Sequence, residues 1–149
     1  MAKQRRRDWL ERIKAVEREF LAARKAVDEF ITALERGTAA LPPNTKVRDV
    51  YTMSDNLEGT YLIRIFAAFE SGLRNYWATI KDTIPPARDL IESIAGRRGV
   101  PDELRDEVHE VRRYRNSLVH EGDEEMSPIA LGMARGRLCT YVARLPDEW

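Results

Sequence analysis

The chain is short of nearly every residue type that advertises a chemistry by itself. It has 149 residues, one cysteine, two histidines and no net charge, 25 Lys and Arg balancing 25 Asp and Glu. A single cysteine, Cys139, excludes an intrachain disulfide framework and any CxxC metal site. Its neighbours Leu138, Tyr141 and Val142 predict a buried thiol. The zero net charge removes a global field for polyanions, so any nucleic-acid contact must use a local patch. No run approaches the roughly 20 apolar residues of a membrane span. The basic start "MAKQRRRDW" is followed by no apolar core of a secretory signal. A cytoplasmic protein in a reducing compartment, with no membrane partner, is therefore expected.

The two histidines, His109 and His120, fall on one expected helix, eleven residues apart, or about 16 Å along its axis. They cannot share an ion within that helix, and no Cys, His or carboxylate cluster has zinc spacing. Neither a metal nor another cofactor is expected. Strand-like alternation, internal repeats and low-complexity tracts are absent too.

What is present is helical periodicity, with 43% hydrophobic and 34% charged residues placing the chain among soluble helical proteins. Ile13, Val16, Phe20, Ala23, Val27, Phe30 and Leu34 alternate spacings of three and four, predicting a helix from Asp8 to Arg36 that Gly37 stops. Residues 37–56, with Pro42-Pro43, read as a long connector that crosses the bundle or covers a site. A second helix is expected from Leu57 to Lys81. Leu62, Ile63, Ile65, Phe66, Phe69, Leu73, Tyr76, Trp77 and Ile80 cover more than one of its faces, so it is either central or buried again by a partner chain. Glu70 and Arg74 lie one turn apart on it. After Pro85-Pro86 a short helix should run to about Ala95 and end at "GRRG". Pro101 then opens the next helix as a first-turn proline, with Gly122 as its stop. The acidic loop "GDEEM" follows. Ser127-Pro128 read as an N-cap and first-turn proline for a last helix striped by Leu131, Ala134, Leu138, Tyr141 and Leu145. Arg5, Arg6 and Arg7 read as a disordered end or an RNA contact. The expected fold is all-α, a single domain over 1–149, built as an up-and-down bundle of four main helices plus a short one.

The penultimate helix holds the most informative string, Arg115-Asn116-Ser117-Leu118-Val119-His120. An arginine can clamp a phosphate, and a histidine can move a proton near neutral pH. At 100° per residue, Leu104, Val108, Val111 and Leu118 share a face. Arg115 sits in the middle of that stripe, where a charge is costly unless paired. It either snorkels or meets a carboxylate such as Glu70. His109, Arg113, Asn116 and His120 form a parallel polar stripe, which is either a solvated face or a site. Arg115 and His120 diverge by about 140° on an ideal helix. They can meet if the helix loosens near Gly122, or across a symmetric dimer.

The string Arg115-Asn116-x-x-x-His120 resembles the signature of the HEPN superfamily (higher eukaryotes and prokaryotes nucleotide-binding): an Arg, a polar residue that is often Asn, and a His four to six residues after the Arg. Its place late in a penultimate helix of an all-α chain fits as well. "YLIRIFAAFESGLRNYW" is similar to the family's second helix, where an acidic residue equivalent to Glu70 often sits. The resemblance implies an HEPN-like bundle acting as a metal-independent RNA endonuclease, a homodimer of toxin or defence type. It carries Arg115, Asn116 and His120 over as catalytic residues, with Glu70 in support. Members paired with a nucleotidyltransferase antitoxin often have a Tyr two residues after the His. Here that position is Gly122, so the resemblance implies a different antitoxin protein or none.

In that reading the 2′-OH of RNA attacks the neighbouring phosphate, His120 serves as general base or acid, and Arg115 stabilises the phosphorane charge. Asn116 orients the phosphate or His120, and Glu70 holds Arg115. Arg97, Arg98, Arg105, Arg112 and Arg113 surround the motif and can add phosphate contacts, Arg112 and Arg113 above all. The interleaved acids Asp102, Glu103, Asp106, Glu107 and Glu110 allow the opposite view, a salt-bridged solvated face. The second functional reading is a non-catalytic HEPN dimer that binds a nucleotide or a partner protein.

Overall fold

The computed structural model describes residues 2–120 and 126–149, and over these the chain is all-helical. Its helices are α1 (Arg6–Glu35), α2 (Val47–Trp77), α3 (Ala87–Arg98), α4 (Asp102–Val119) and α5 (Leu131–Val142). The expected Gly122 stop and most of the acidic loop lie outside the described residues. None of the helices is long and apolar enough to cross a membrane.

α2 packs against all four other helices, whereas α1 meets only α2 and α5. The broad apolar surface of α2 is thus explained by its central place. Leu62, Ile65, Phe69 and Leu73 are fully enclosed, and Phe66 nearly so. Around them lie Trp9, Ile13, Val16 and Phe20 of α1, Leu90, Ile91 and Ile94 of α3, Val108 and Val111 of α4, and Leu131, Leu138 and Tyr141 of α5. The α1 stripe divides: Ile13, Val16 and Phe20 are buried, but no residue of α1 beyond Phe20 is. On α2, only Val50 is buried before Leu62. The outer ends of α1 and α2 form an arm with too few neighbouring helices to enclose a core.

Several boundaries differ from expectation for identifiable reasons. The connector is shorter than 37–56, because residues 47–56 are helical. Asp49 accepts the Lys46 backbone N–H at 2.8 Å, which caps the helix start and places a carboxylate at its positive end. Val50 is buried in the same turn. α3 runs one turn past Ala95, to Arg98, where Gly99 takes the left-handed conformation at φ 65°. Pro101 caps α4 from outside instead of opening its first turn. Ser127-Pro128 does not start α5: the helix begins at Leu131, whose N–H is accepted by Glu58 of α2 at 3.3 Å. A carboxylate from another helix replaces the local cap.

The arginine-rich start is ordered. Gln4 and Trp149 exchange backbone hydrogen bonds of 2.9 and 3.0 Å. Arg6 begins α1 and donates to the carbonyls of Ala143 and Leu145 at 3.1 and 2.8 Å. Cys139 is half-buried instead of buried. Desolvation still raises its thiol pKa above the usual range, disfavouring the reactive thiolate.

Candidate functional site

α4 leaves the bundle gradually. Val108 and Val111 are enclosed, Arg115 is half-buried, and Leu118 and Val119 are exposed. Arg115 therefore sits where the apolar seam between α2 and α4 opens. Its guanidinium carbon lies 4.7 Å from the centre of the Phe66 ring, a distance suited to a cation–π contact. Its Nη2 donates to Glu70 Oε1 at 3.5 Å. The Nε–H is buried and finds no acceptor among the described residues. Of the two sequence-level readings of Arg115, the carboxylate pairing is realised.

Glu70 is shared between two arginines. Its Oε2 accepts from Arg74 Nε at 3.0 Å, one turn along α2. Arg74 also donates to the Pro85 carbonyl at 2.8 Å, which ties the end of the α2–α3 connector to the site. The i, i+4 spacing of Glu70 and Arg74 was the available signal for this pairing. Arg115, Glu70, Phe66, Ile63, Ala67 and Ser71 line a cavity of about 240 Å³. A second cavity of about 410 Å³ is lined by Asp55, Asn56, Gly59, Thr60, Ile63, Tyr114 and Leu118. Ile63 borders both, so an interrupted groove follows the α2–α4 seam.

The other motif residues are nearby in sequence but not assembled. Asn116 is half-buried, and no hydrogen bond of its side chain is found among the described residues. His120 ends α4: its backbone leaves helical geometry at φ −115°, ψ 117°, while its N–H still donates to the Asn116 carbonyl at 3.0 Å. Its imidazole is exposed and makes no hydrogen bond or ion pair with Arg115, Asn116 or Glu70. The helix thus loosens at His120 itself, but this does not join His120 to Arg115 within one chain.

The polar stripe divides as well. Arg113 and His120 are exposed, but His109 is only 6% exposed and does not belong to a solvated face. Its Nε2 pairs with Glu92 of α3 at 2.9 Å, while its Nδ1 accepts from Arg112 Nε at 3.2 Å. Burial pushes its pKa below the usual histidine value, with the Glu92 hydrogen bond opposing. The ring is accordingly neutral at pH 7, with the proton on Nε2. Sequence periodicity could not reveal this, because Glu92 comes from another helix.

The arginines around α4 follow two patterns. Arg105 is surrounded by Glu92, Asp102 and Asp106 at 3.6, 3.4 and 3.3 Å. Arg137 of α5 takes Glu107 and Glu110, at 3.9 and 3.1 Å. Arg98 donates to the Arg144 carbonyl at 2.9 Å. The first half of α4 is thus the salt-bridged face. Arg97, Arg112 and Arg113 form no ion pair among the described residues. No group of three or more His, Cys, Asp or Glu there is placed to hold a metal ion.

No protein-family model, curated protein or solved structure matches the chain.

Proposed function

We propose that this chain is a metal-independent RNA endonuclease of HEPN type that works as a homodimer. The observation that carries the reading is the setting of Arg115. It is held from one side by Glu70 and underlain by Phe66, it keeps a donor without an acceptor among the described residues, and it lines a cavity at the mouth of the α2–α4 groove. A pre-positioned guanidinium of this kind stabilises a phosphorane better than a mobile one, because little reorganisation is needed as charge develops.

In the proposed reaction the RNA 2′-oxygen forms a bond to the adjacent phosphorus while the 5′-oxygen of the next nucleotide leaves. One His120 takes the 2′ proton. A second proton reaches the departing 5′-oxygen, supplied by His120 of the other protomer. The products are a 2′,3′-cyclic phosphate and a 5′-hydroxyl. Asn116 orients the phosphate, and Glu70 keeps Arg115 aligned while the site is empty. The separation of His120 from Arg115 within one chain favours a composite site across a two-fold axis. A toxin or defence role, with a separate antitoxin chain, belongs to the same reading.

The test is cleavage of a mixed RNA pool in EDTA by wild type, Arg115→Ala and His120→Ala. Cutting that leaves cyclic phosphate ends and is lost in both variants supports the nuclease. A folded, dimeric wild type that leaves every RNA in the pool intact shifts the weight to the second reading, non-catalytic binding of a nucleotide or partner protein. That no hydrogen bond or ion pair holds the His120 imidazole among the described residues is the observation that favours that alternative.

A further inference from the structure

We propose that Arg88, Arg112 and Arg113 form a second phosphate subsite beside Arg115, and that His109 is the positioning residue that aims Arg112 into it. The ligand is the phosphodiester backbone of single-stranded RNA, a neighbouring phosphate to the one at Arg115. This assignment rests on the nuclease reading for the identity of the ligand.

The geometry begins with the α3–α4 hairpin. The short turn Gly99-Val100-Pro101 folds α4 back along α3, and the 2.9 Å contact of His109 with Glu92 fixes their register. One turn from Glu92 toward the start of α3 is Arg88, and one turn from His109 toward the end of α4 is Arg112. The two arginines therefore lie at the same end of the hairpin, the end that carries Arg113 and Arg115. Pro85, two residues before the start of α3, is held by Arg74 and hence linked to Glu70.

The hydrogen bonding of Arg112 points the same way. The carboxylate of Glu92 accepts the Nε2 proton of His109, leaving Nδ1 as an acceptor. Arg112 fills that acceptor with Nε–H alone. No hydrogen bond of its two Nη groups is found among the described residues, and these form the fork that grips a phosphate. Salt bridges use up Arg105 and Arg137, but Arg88, Arg112 and Arg113 have no ion-pair partner among the described residues. The cluster is electrostatically uncomfortable. Arg112's pKa is lowered from the usual arginine value by burial, then by the charges of Arg113, Arg88 and Arg115, against the opposing pull of Glu92. Grouped guanidiniums that outnumber the one nearby carboxylate repel one another, and a bound phosphate relieves that repulsion.

The experiment is fluorescence anisotropy with a labelled 2′-O-methyl oligoribonucleotide over a salt series. This probe has no free 2′-OH, so binding is read apart from cleavage. Each phosphate contact contributes about 0.7 to the log–log salt slope on a single strand. Arg88→Gln and Arg112→Gln are each expected to lower the slope by about that amount, and to weaken binding at low salt about ten-fold, the low end for one charge-assisted hydrogen bond. Arg36→Gln, on the distal end of α1, is the control and leaves both unchanged. His109→Leu should reproduce the Arg112→Gln slope. His109→Gln should restore the wild-type slope, because a carboxamide can donate to Glu92 and accept from Arg112; general loss of packing would give no such rescue.

Unchanged slopes for Arg88→Gln and Arg112→Gln in a wild type that binds the probe overturn the subsite while leaving cleavage to be judged separately. The expected slopes in a protein that cleaves no RNA uphold the subsite and refute the nuclease. A wild type that does not bind the probe even at low salt overturns the proposal. Displacement of the probe by ATP at matching concentration overturns the assignment to a polynucleotide, since free nucleotide phosphates then occupy the cluster.

Discussion

Glu70→Gln is the substitution that most directly tests the organisation of the site. It keeps the side chain's size but removes the negative charge between Arg115 and Arg74. The Arg115–Glu70 pair has a separation of 3.5 Å and side-chain exposures of 23% and 26%. At that distance the Coulomb attraction is about 1.2 kcal/mol with the dielectric of water and about 4.7 kcal/mol at an effective value of 20. Desolvation and the ordering of two side chains offset much of it, so a net coupling of about 1 kcal/mol is expected, at the upper end for exposed pairs. The Arg74 pair is shorter, at 3.0 Å, and couples at least as strongly. Glu70→Gln should therefore destabilise the chain by about 2–3 kcal/mol, close to the range for hydrogen bonds to charged groups. In a chain of this length that lowers Tm by roughly 5–10 °C. Urea unfolding of Glu70→Gln, Arg115→Gln, Arg74→Gln and the two double variants isolates each coupling. A Glu70–Arg115 coupling below about 0.3 kcal/mol, within ordinary additivity error, would refute the claim that Glu70 fixes Arg115, and with it the pre-positioned guanidinium on which the proposed chemistry relies.

Three further outcomes follow from the same structure. His109 has a folded-state pKa lowered below the usual 6.5, so the unfolded chain binds its proton more readily; stability is fully present above about pH 6.5 and declines as the pH falls below it. The urea midpoint should fall between pH 7.5 and 5.5, and less so in His109→Gln; an identical pH dependence in that variant would refute the assignment. Gly96 and Gly136 are helical, with nothing within 4 Å of an added Cβ, so alanine at either should stabilise by about 1 kcal/mol. Gly99, at φ +65°, should lose about that much on the same change, and equal effects at the three positions in thermal unfolding would contradict the backbone geometry. Phe69→Ala, at a fully buried position, should cost about 3–5 kcal/mol. Leu21→Ala, at 58% exposure, should stay within about 0.5 kcal/mol, and a comparable loss at both would contradict a core centred on α2.

The parts of this structure legible in the sequence are those whose causes are local. The stripe from Leu62 to Tyr76 marks a buried helix because apolar spacing and core packing there impose the same pattern. Residues 47–56 carry no such stripe; one capping carboxylate and one buried valine hold them helical, so composition suggested a loop. Ser127-Pro128 has the residue types of a helix start, yet Glu58, far away in sequence, satisfies the first N–H of α5. Arg115 was legible for the opposite reason. A charge within an apolar stripe demands compensation, and Glu70 lay on the neighbouring helix that could provide it. His109 lacked that contrast, because it belongs to a polar stripe with Arg113 and Asn116 and its partner belongs to α3. The same limit hid the division of the arginines. Arg105 and Arg112 lie in the same helix, with Asp102 and Asp106 beside the first and His109 beside the second, and packing decides the rest by bringing Glu92 of α3 to Arg105 and burying the imidazole that meets Arg112. A run of mixed charge therefore does not determine which cations remain available to a ligand. That depends as well on which carboxylates neighbouring helices bring within reach, and here Arg88, Arg112 and Arg113, without ion-pair partners among the described residues, lie at the end of the α3–α4 hairpin that holds the motif.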